Sequence, residues 1–219
     1  MKTLALISAL CLALPLSASD PSHPDATVQF DYANPDLSPS AWSLIIHPNG
    51  SGHFKSEPGP STSKGMDVPG IDQPIQLTPA FAQYVLDVAA SRTVLSGNCE
   101  SHLKVAFQGW KTITYKDGNL QGTCRFNYTK DRSLEKLSST LLAVATTLVE
   151  GQRLEMLLQH DPLGLDSEMG FLVDSARDGR VKQIGSIQGI LKRLEQDQTV
   201  MERVRKRAQI LLANAAVEK

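Results

Sequence analysis

Apolar and polar residues alternate with a period of two in several stretches between positions 41 and 128 and recur every three or four residues beyond position 131. The first pattern predicts strands, the second helices. Trp42, Leu44 and Ile46 alternate with Ser43, Ile45 and His47, then Pro48-Asn49-Gly50-Ser51-Gly52 turns the chain and His53–Lys55 returns as a hairpin. Leu103, Val105 and Phe107 alternate with His102, Lys104 and Ala106 as a further strand. Trp110–Lys116 and Leu120–Tyr128 flank Asp117-Gly118, a two-residue hairpin signal that sets Tyr115 opposite Leu120 and Lys111 opposite Cys124. Phe81, Val85, Val88 and Ala89 form a stripe at helical spacing behind Thr78-Pro79, so one helix is expected over about 79–92.

Beyond Asp131 the strand pattern stops. Leu134, Leu137, Leu141, Val144, Leu148, Leu154 and Leu157 predict a long helix, with Gly151 as a place for a kink. A short helix capped by Asp166 follows, and Ile184 to Leu211 reads as a second long helix. The fold class is therefore α+β: a small antiparallel sheet with one helix in 41–130, then a helical region in 131–219 with two long helices and one short one. Residues 20–40 are rich in Pro, Ser and Asp and read as a flexible leader, in which Val28–Tyr32 would make a short edge strand. Residues 57–77 hold four prolines and three glycines and read as a long loop without regular structure.

The N-terminus reads as a signal peptide over 1–19. Lys2 precedes an apolar run from Leu4 to Leu16, and Ser17-Ala18-Ser19 offers small residues for cleavage before Asp20. The run is shorter than the roughly 20 residues that span a bilayer, and no later segment is long and apolar enough. An exported chain, periplasmic or secreted, follows, with an uncleaved anchor as the alternative. Cleavage removes Cys11 and leaves Cys99 and Cys124, which in an oxidising compartment form one bridge or stay as two buried thiols. The simple meander separates them by more than 20 Å along the strands at about 3.3 Å per residue. A bridge therefore requires residues 95–102 to fold back over the sheet, or the strand pairing to differ.

Composition narrows function only by exclusion. The 219 residues are 41% hydrophobic and 21% charged, ordinary for a globular chain, and a net charge of −1 gives no overall pull toward nucleic acid. Aromatics at 5% disfavour a stacking platform. No nucleophile elbow, phosphate loop, dinucleotide fingerprint, zinc-protease helix or calcium loop is present, so no cofactor or metal is implied and the balance leans away from an enzyme. His47 and His53 flank a turn, but a metal needs a third ligand. His160-Asp161 offers an acid–base pair or simply a helix end and a turn. The carboxylates Asp161, Asp166, Glu168, Asp174 and Asp178 fit no calcium loop. Arg203, Arg205, Lys206 and Arg207 form the densest basic run, an anion-binding candidate or a solvated face suited to a helix C-terminus. Gly185 and Gly189 permit a close helix–helix approach, within the chain or in a homodimer through the long helices. Asn127-Tyr128-Thr129 matches the glycosylation pattern.

The run Cys99-x-Ser101-x-x-Lys104-Val105-Ala106-Phe107-x-Gly109, followed by Lys111-x-Ile113-x-Tyr115 and Cys124, resembles a β-domain of uncharacterised exported bacterial proteins. Gly164–Met169 and Arg203–Ala208 are similar to segments of the same kind of chain. The resemblance implies export and no activity. The leading expectation is a non-enzymatic envelope or secreted protein that binds an unknown protein partner through its sheet face, the 57–77 loop or the long helices. A hydrolase with a non-local site built from His47, His53, His102 or His160 is one alternative, and an anionic-surface binder through the basic helix another.

Overall fold

The computed structural model describes residues 25–60 and 67–217, so the signal segment and the start of the leader lie outside the described residues. Six strands, β1 (Thr27–Ala33), β2 (Ala41–Ile46), β3 (Ser51–Glu57), β4 (Asp72–Gln76), β5 (Trp110–Asp117) and β6 (Leu120–Phe126), form one antiparallel sheet in the order β4-β3-β2-β1-β5-β6. Alternation sorts the side chains as expected for a sheet with one covered face. Val28, Phe30, Tyr32, Trp42, Leu44, Ile46, Phe54, Ile113, Tyr115, Cys124 and Phe126 are buried together. Trp42 lies at the centre of an aromatic row, with ring centroids 5.4 Å from Phe30, 5.5 Å from Tyr32 and 6.0 Å from Phe54.

Helix α1 (Pro79–Ala89) packs against β1 and β5, capped by Thr78, whose side chain accepts from the Phe81 N–H. The single helix expected to residue 92 stops at Ala89, and a short helix α2 (Arg92–Ser96) follows it against β6. Helix α3 (Arg132–His160) runs unbroken through Gly151. A side chain there would place Cβ 2.5 Å from Ile187 Cγ2, so the glycine allows the 3-10 turn Ile184–Ile187 to lie against α3. Thr147 fastens the same contact, donating to the Lys182 carbonyl at 2.6 Å and accepting from the Lys182 N–H at 3.1 Å. Helix α4 (Leu165–Arg177) packs on α3 and on the last helix, and one continuous buried cluster joins the sheet to the helical half.

Four expectations change. The leader contributes β1, and this strand lies inside the sheet, between β2 and β5, not at its edge. The 57–77 stretch contains β4. Pro74 is tolerated because β4 is an edge strand and needs no N–H on its open side. The second long helix is two helices, α5 (Gln188–Gln196) and α6 (Glu202–Val217). Asp197 causes the break: its carboxylate takes the Thr199 N–H at 2.8 Å and hydroxyl at 2.6 Å, drawing the backbone into a turn. Finally, Leu103–Phe107 is not a strand. Beside β5 the place is held by β1, with Thr27 opposite Lys116 and Ala33 opposite Trp110. Beside β6, Ser101 donates to the Tyr128 carbonyl at 2.9 Å, and Glu100 takes the Asn127 N–H at 2.6 Å.

The β5–β6 register also slips by two residues from the one expected. Asp117 pairs with Leu120 around Gly118-Asn119, so Cys124 faces Ile113 and Lys111 faces Phe126. An even slip keeps every side chain on its face, and Cys124 stays buried. Cys99, which follows α2 where the chain runs beside β6, stands at disulfide distance from Cys124, with Cα atoms 5.9 Å apart; with no strand over Leu103–Phe107, the different pairing brings the two together.

Candidate functional site

The displaced segment 102–108 is the most conspicuous surface of the molecule. All seven of its residues are exposed, although the run is LKVAF at its centre. Leu103 is 50% exposed, Val105 39%, Phe107 48% and the adjoining Trp110 38%. Phe107 meets the edge of Trp110 at 6.0 Å between centroids, and the Arg125 guanidinium lies 4.5 Å over the Trp110 ring. Scattered apolar residues on a surface need no explanation, but three on one short segment with a fourth, Trp110, beside it do.

The base of this loop is tightly built. Asn127 bridges it, accepting from the Gln108 N–H at 2.7 Å and donating to the Ala106 carbonyl at 3.2 Å. The Tyr32 hydroxyl donates to the Gln108 carbonyl at 2.9 Å. Gly109 has φ +96°, and a Cβ there would stand 2.5 Å from the Tyr32 ring, so both its conformation and its neighbour require glycine. Lys111, 6% exposed, turns its amine to the Asn127 carbonyl at 2.9 Å and the Gly109 carbonyl at 3.4 Å. Burial lowers the affinity of this amine for its proton, and the Glu100 charge partly offsets that. Desolvation acts to raise the Glu100 pKa, but hydrogen bonds from the backbone of Asn127, His102 and Ser101 outweigh it and hold the carboxylate below its ordinary range. Three apolar side chains on the loop, with Trp110 at the start of β5, thus stand over a hydrogen-bonded, charged anchor in which Lys111 is buried and Glu100 and Asn127 are half-buried.

Beside Trp110 the outer sheet face carries a depression of about 410 Å³, bordered by Asp31, Ser43, Lys55, Glu57, Thr112 and Arg125. A larger groove of about 910 Å³ lies between the start of α1 and the ends of α5 and α6, with Leu77, Pro79, Gln183, Lys192, Glu195 and Leu212 on its walls. Gln183, at φ +55°, ties this groove together by accepting the Thr78 N–H at 2.8 Å.

The residues singled out from the sequence are dispersed. His53 Nε2 meets Asp72 Oδ1 at 2.6 Å, with Lys55 at 3.5 Å from the same carboxylate, on the open side of the sheet. The hydrogen bond from His53 holds Asp72 below its ordinary range. His47 stays exposed beside the β2–β3 turn, His102 sits on the projecting loop, and His160 ends α3. Asp161 accepts from the Gly164 N–H and makes a turn. Among the described residues no group of three or more His, Cys, Asp or Glu could hold a metal ion.

The basic run opens α6 and does not close a helix, so the helix dipole opposes it instead of favouring it. Side chains compensate. Arg203 Nε is 2.6 Å and Arg207 Nη1 2.5 Å from Asp166 Oδ1, Lys206 pairs with Glu202 at 2.8 Å, and Arg205 donates to Gln198 at 2.6 Å. The run therefore holds α6 to α4 through Asp166. Gly185 and Gly189 both face open space. Sequence reasoning missed the anchor: Asn127 stood out only as a glycosylation pattern, and a lysine at an inward strand position is the signal that could have found it. No protein-family model matches the chain, and no curated protein matches it either.

Proposed function

We propose that this chain is a non-enzymatic binding protein of the exported fraction, and that the loop 101–110 is its contact surface. One observation carries the reading: Leu103, Val105, Phe107 and Trp110 project together from an anchor made by Glu100, Lys111 and Asn127. Leaving large apolar side chains in water opposes solubility, while burying the Lys111 amine at their base costs desolvation. A loop of that kind is explained by something that covers it. The Cys99–Cys124 pair at the start of the loop supports an oxidising compartment and braces the segment where it leaves α2.

Site-specific photo-crosslinking tests this. A photoreactive side chain at Val105 should give adducts with lipid or protein of the envelope or secreted fraction, whereas the same group at Gln29, exposed on the outer sheet face, should give few. Equal yields at the two positions, or none at Val105, would remove the loop as the contact surface.

A further inference from the structure

Building on that reading of the loop, we propose that it is an interfacial anchor for anionic phospholipid surfaces. Phe107 and Trp110, with Leu103 and Val105, enter the headgroup region, while Lys104 and Arg125 meet lipid phosphates.

Shape is the first argument. Residues 102–108 are exposed without interruption, so the apolar side chains sit on a projection, not a flat patch. At their observed exposures they offer roughly 300–400 Å² of apolar surface, by ordinary side-chain areas. A stable protein interface takes about 800 Å² from each partner, of which roughly 450 Å² is apolar, and needs a matching surface around it. A fluid bilayer interface imposes no such requirement of area or matching shape, and an apolar face needs to enter only about 5–10 Å of it. The second argument is residue type. Trp and Phe with a neighbouring Lys or Arg are the residues that settle at a membrane–water boundary, where a ring is partly wet and a cation reaches the phosphates.

Charge is the third argument. From Ser101 to Lys116 the chain has no carboxylate, and of its three lysines Lys104 lies on the loop, Lys111 is buried in the anchor and Lys116 stands near the far end of β5. Glu100, next to it, is spent on the N–H groups of Asn127 and His102. Asp31 and Glu57 line the same outer-face depression as Trp110 and Arg125, so the carboxylates flank the Arg125 side of the anchor, and Lys104 on the loop is the cation outside that depression. Lys104 is exposed on the projection itself, and Arg125 already lies on the face of Trp110. The backbone is also partly prepared for a drier setting. Val105 N–H donates to the Leu103 carbonyl, and Asn127 satisfies Ala106 and Gln108. In contrast, all four cations of the α6 run have an intramolecular partner. This moves the anionic-surface idea from the helix to the loop.

The test uses the full chain with vesicles of phosphatidylglycerol or of phosphatidylcholine, reading tryptophan emission and its quenching by brominated acyl chains. Trp42 is buried in the core and supplies a constant background. Every variant keeps the Leu4–Leu16 run, so differences between variants report on the loop alone. Phosphatidylglycerol vesicles should shift the Trp110 emission to the blue and bring it within reach of the bromines. Phe107→Ser should weaken binding about tenfold, the loss expected for one large buried side chain. Lys104→Gln should weaken it about fivefold, as for one cation at an anionic surface, with no change in thermal unfolding. Added salt should weaken the wild type more than the Lys104 variant. An unresponsive Trp110, or equal binding by wild type and Phe107→Ser, overturns the bilayer anchor. If vesicles fail while Val105 still crosslinks to a discrete protein, or to a second copy whose dimer is lost in Phe107→Ser, the lipid is wrong and the contact surface stands. If both fail, both readings fall.

Discussion

Replacing Glu150 by glutamine should stabilise this protein at neutral pH, against the usual rule that losing a charged partner of an arginine is harmful. Glu150 is 7% exposed on α3, facing Glu168 of α4, and Arg153 Nε lies 3.3 Å from its Oε2, an oxygen left without an aligned hydrogen bond. Desolvation first, then the hydrogen bond and charge of Glu168, push its pKa from 4.5 up to about 8, with Arg153 pulling the other way. In the unfolded chain the group ionises near 4.5; in the folded chain it keeps its proton to about 8. Between those values the native state binds one more proton than the unfolded state, so stability falls as pH rises, at about 1.4 kcal/mol per pH unit. At pH 7 the cost would be about 3 kcal/mol at most, and about 2–3 kcal/mol after allowing for relaxation around the pair. Glutamine keeps the shape of the protonated acid and does not titrate. The Glu150→Gln chain should then be more stable by that amount at pH 7, and equal to wild type near pH 4.5. Urea unfolding of both proteins from pH 4.5 to 8 measures the difference, in which titrating groups remote from the Glu150–Glu168 pair cancel. A difference that is flat with pH, or a variant that is less stable at pH 7, would mean that Arg153 keeps Glu150 ionised in the folded protein, and the reasoning would be wrong.

Gly109→Ala forces a Cβ against the Tyr32 ring at a positive φ; it should cost about 1–3 kcal/mol and open the loop to proteolysis at residues 102–108, and uncut protein at wild-type stability would refute the anchor geometry. Replacing Cys99 and Cys124, whose sequence separation is 25, by serine should cost roughly 3.5 kcal/mol in the chain-entropy model under oxidising conditions and much less in reductant; a loss of the same size in both conditions would show that no bridge contributes. Asp166→Asn removes the carboxylate that holds Arg203 and Arg207, leaving Arg207 its bond to the residue-166 carbonyl, and should lower stability by about 1 kcal/mol for partly exposed charge-assisted bonds, with hydrogen exchange rising first in α6; unchanged exchange there would deny the Asp166 carboxylate its role in seating the helix.

The sequence by itself determined whatever depends on local periodicity and local chemistry. Trp42-x-Leu44-x-Ile46, the turn before His53 and the stripe from Leu134 to Leu157 all specify a strand, a hairpin or a helix through residues a few positions apart, and all three elements formed. Even the two-residue error in the β5–β6 register left Cys124 on the buried face, because side-chain direction depends only on parity. That Cys99 could not reach Cys124 within the simple meander was also legible, and of the two routes left open the strand pairing is the one that differs, since Leu103–Phe107 is not a strand and β1 pairs with β5. What the tertiary structure alone decided was which neighbours each segment found. Leu103-x-Val105-x-Phe107 has the pattern of a strand, yet β1, from a stretch expected to be a leader, occupies the place beside β5. A strand needs a partner edge, and edge occupancy is a property of the whole sheet that no window of sequence contains. The same competition turned five ordinary residues, Tyr32, Glu100, Gly109, Lys111 and Asn127, drawn from three separate parts of the chain, into the anchor of an exposed apolar loop. Their contacts are long-range, and only packing brought them together.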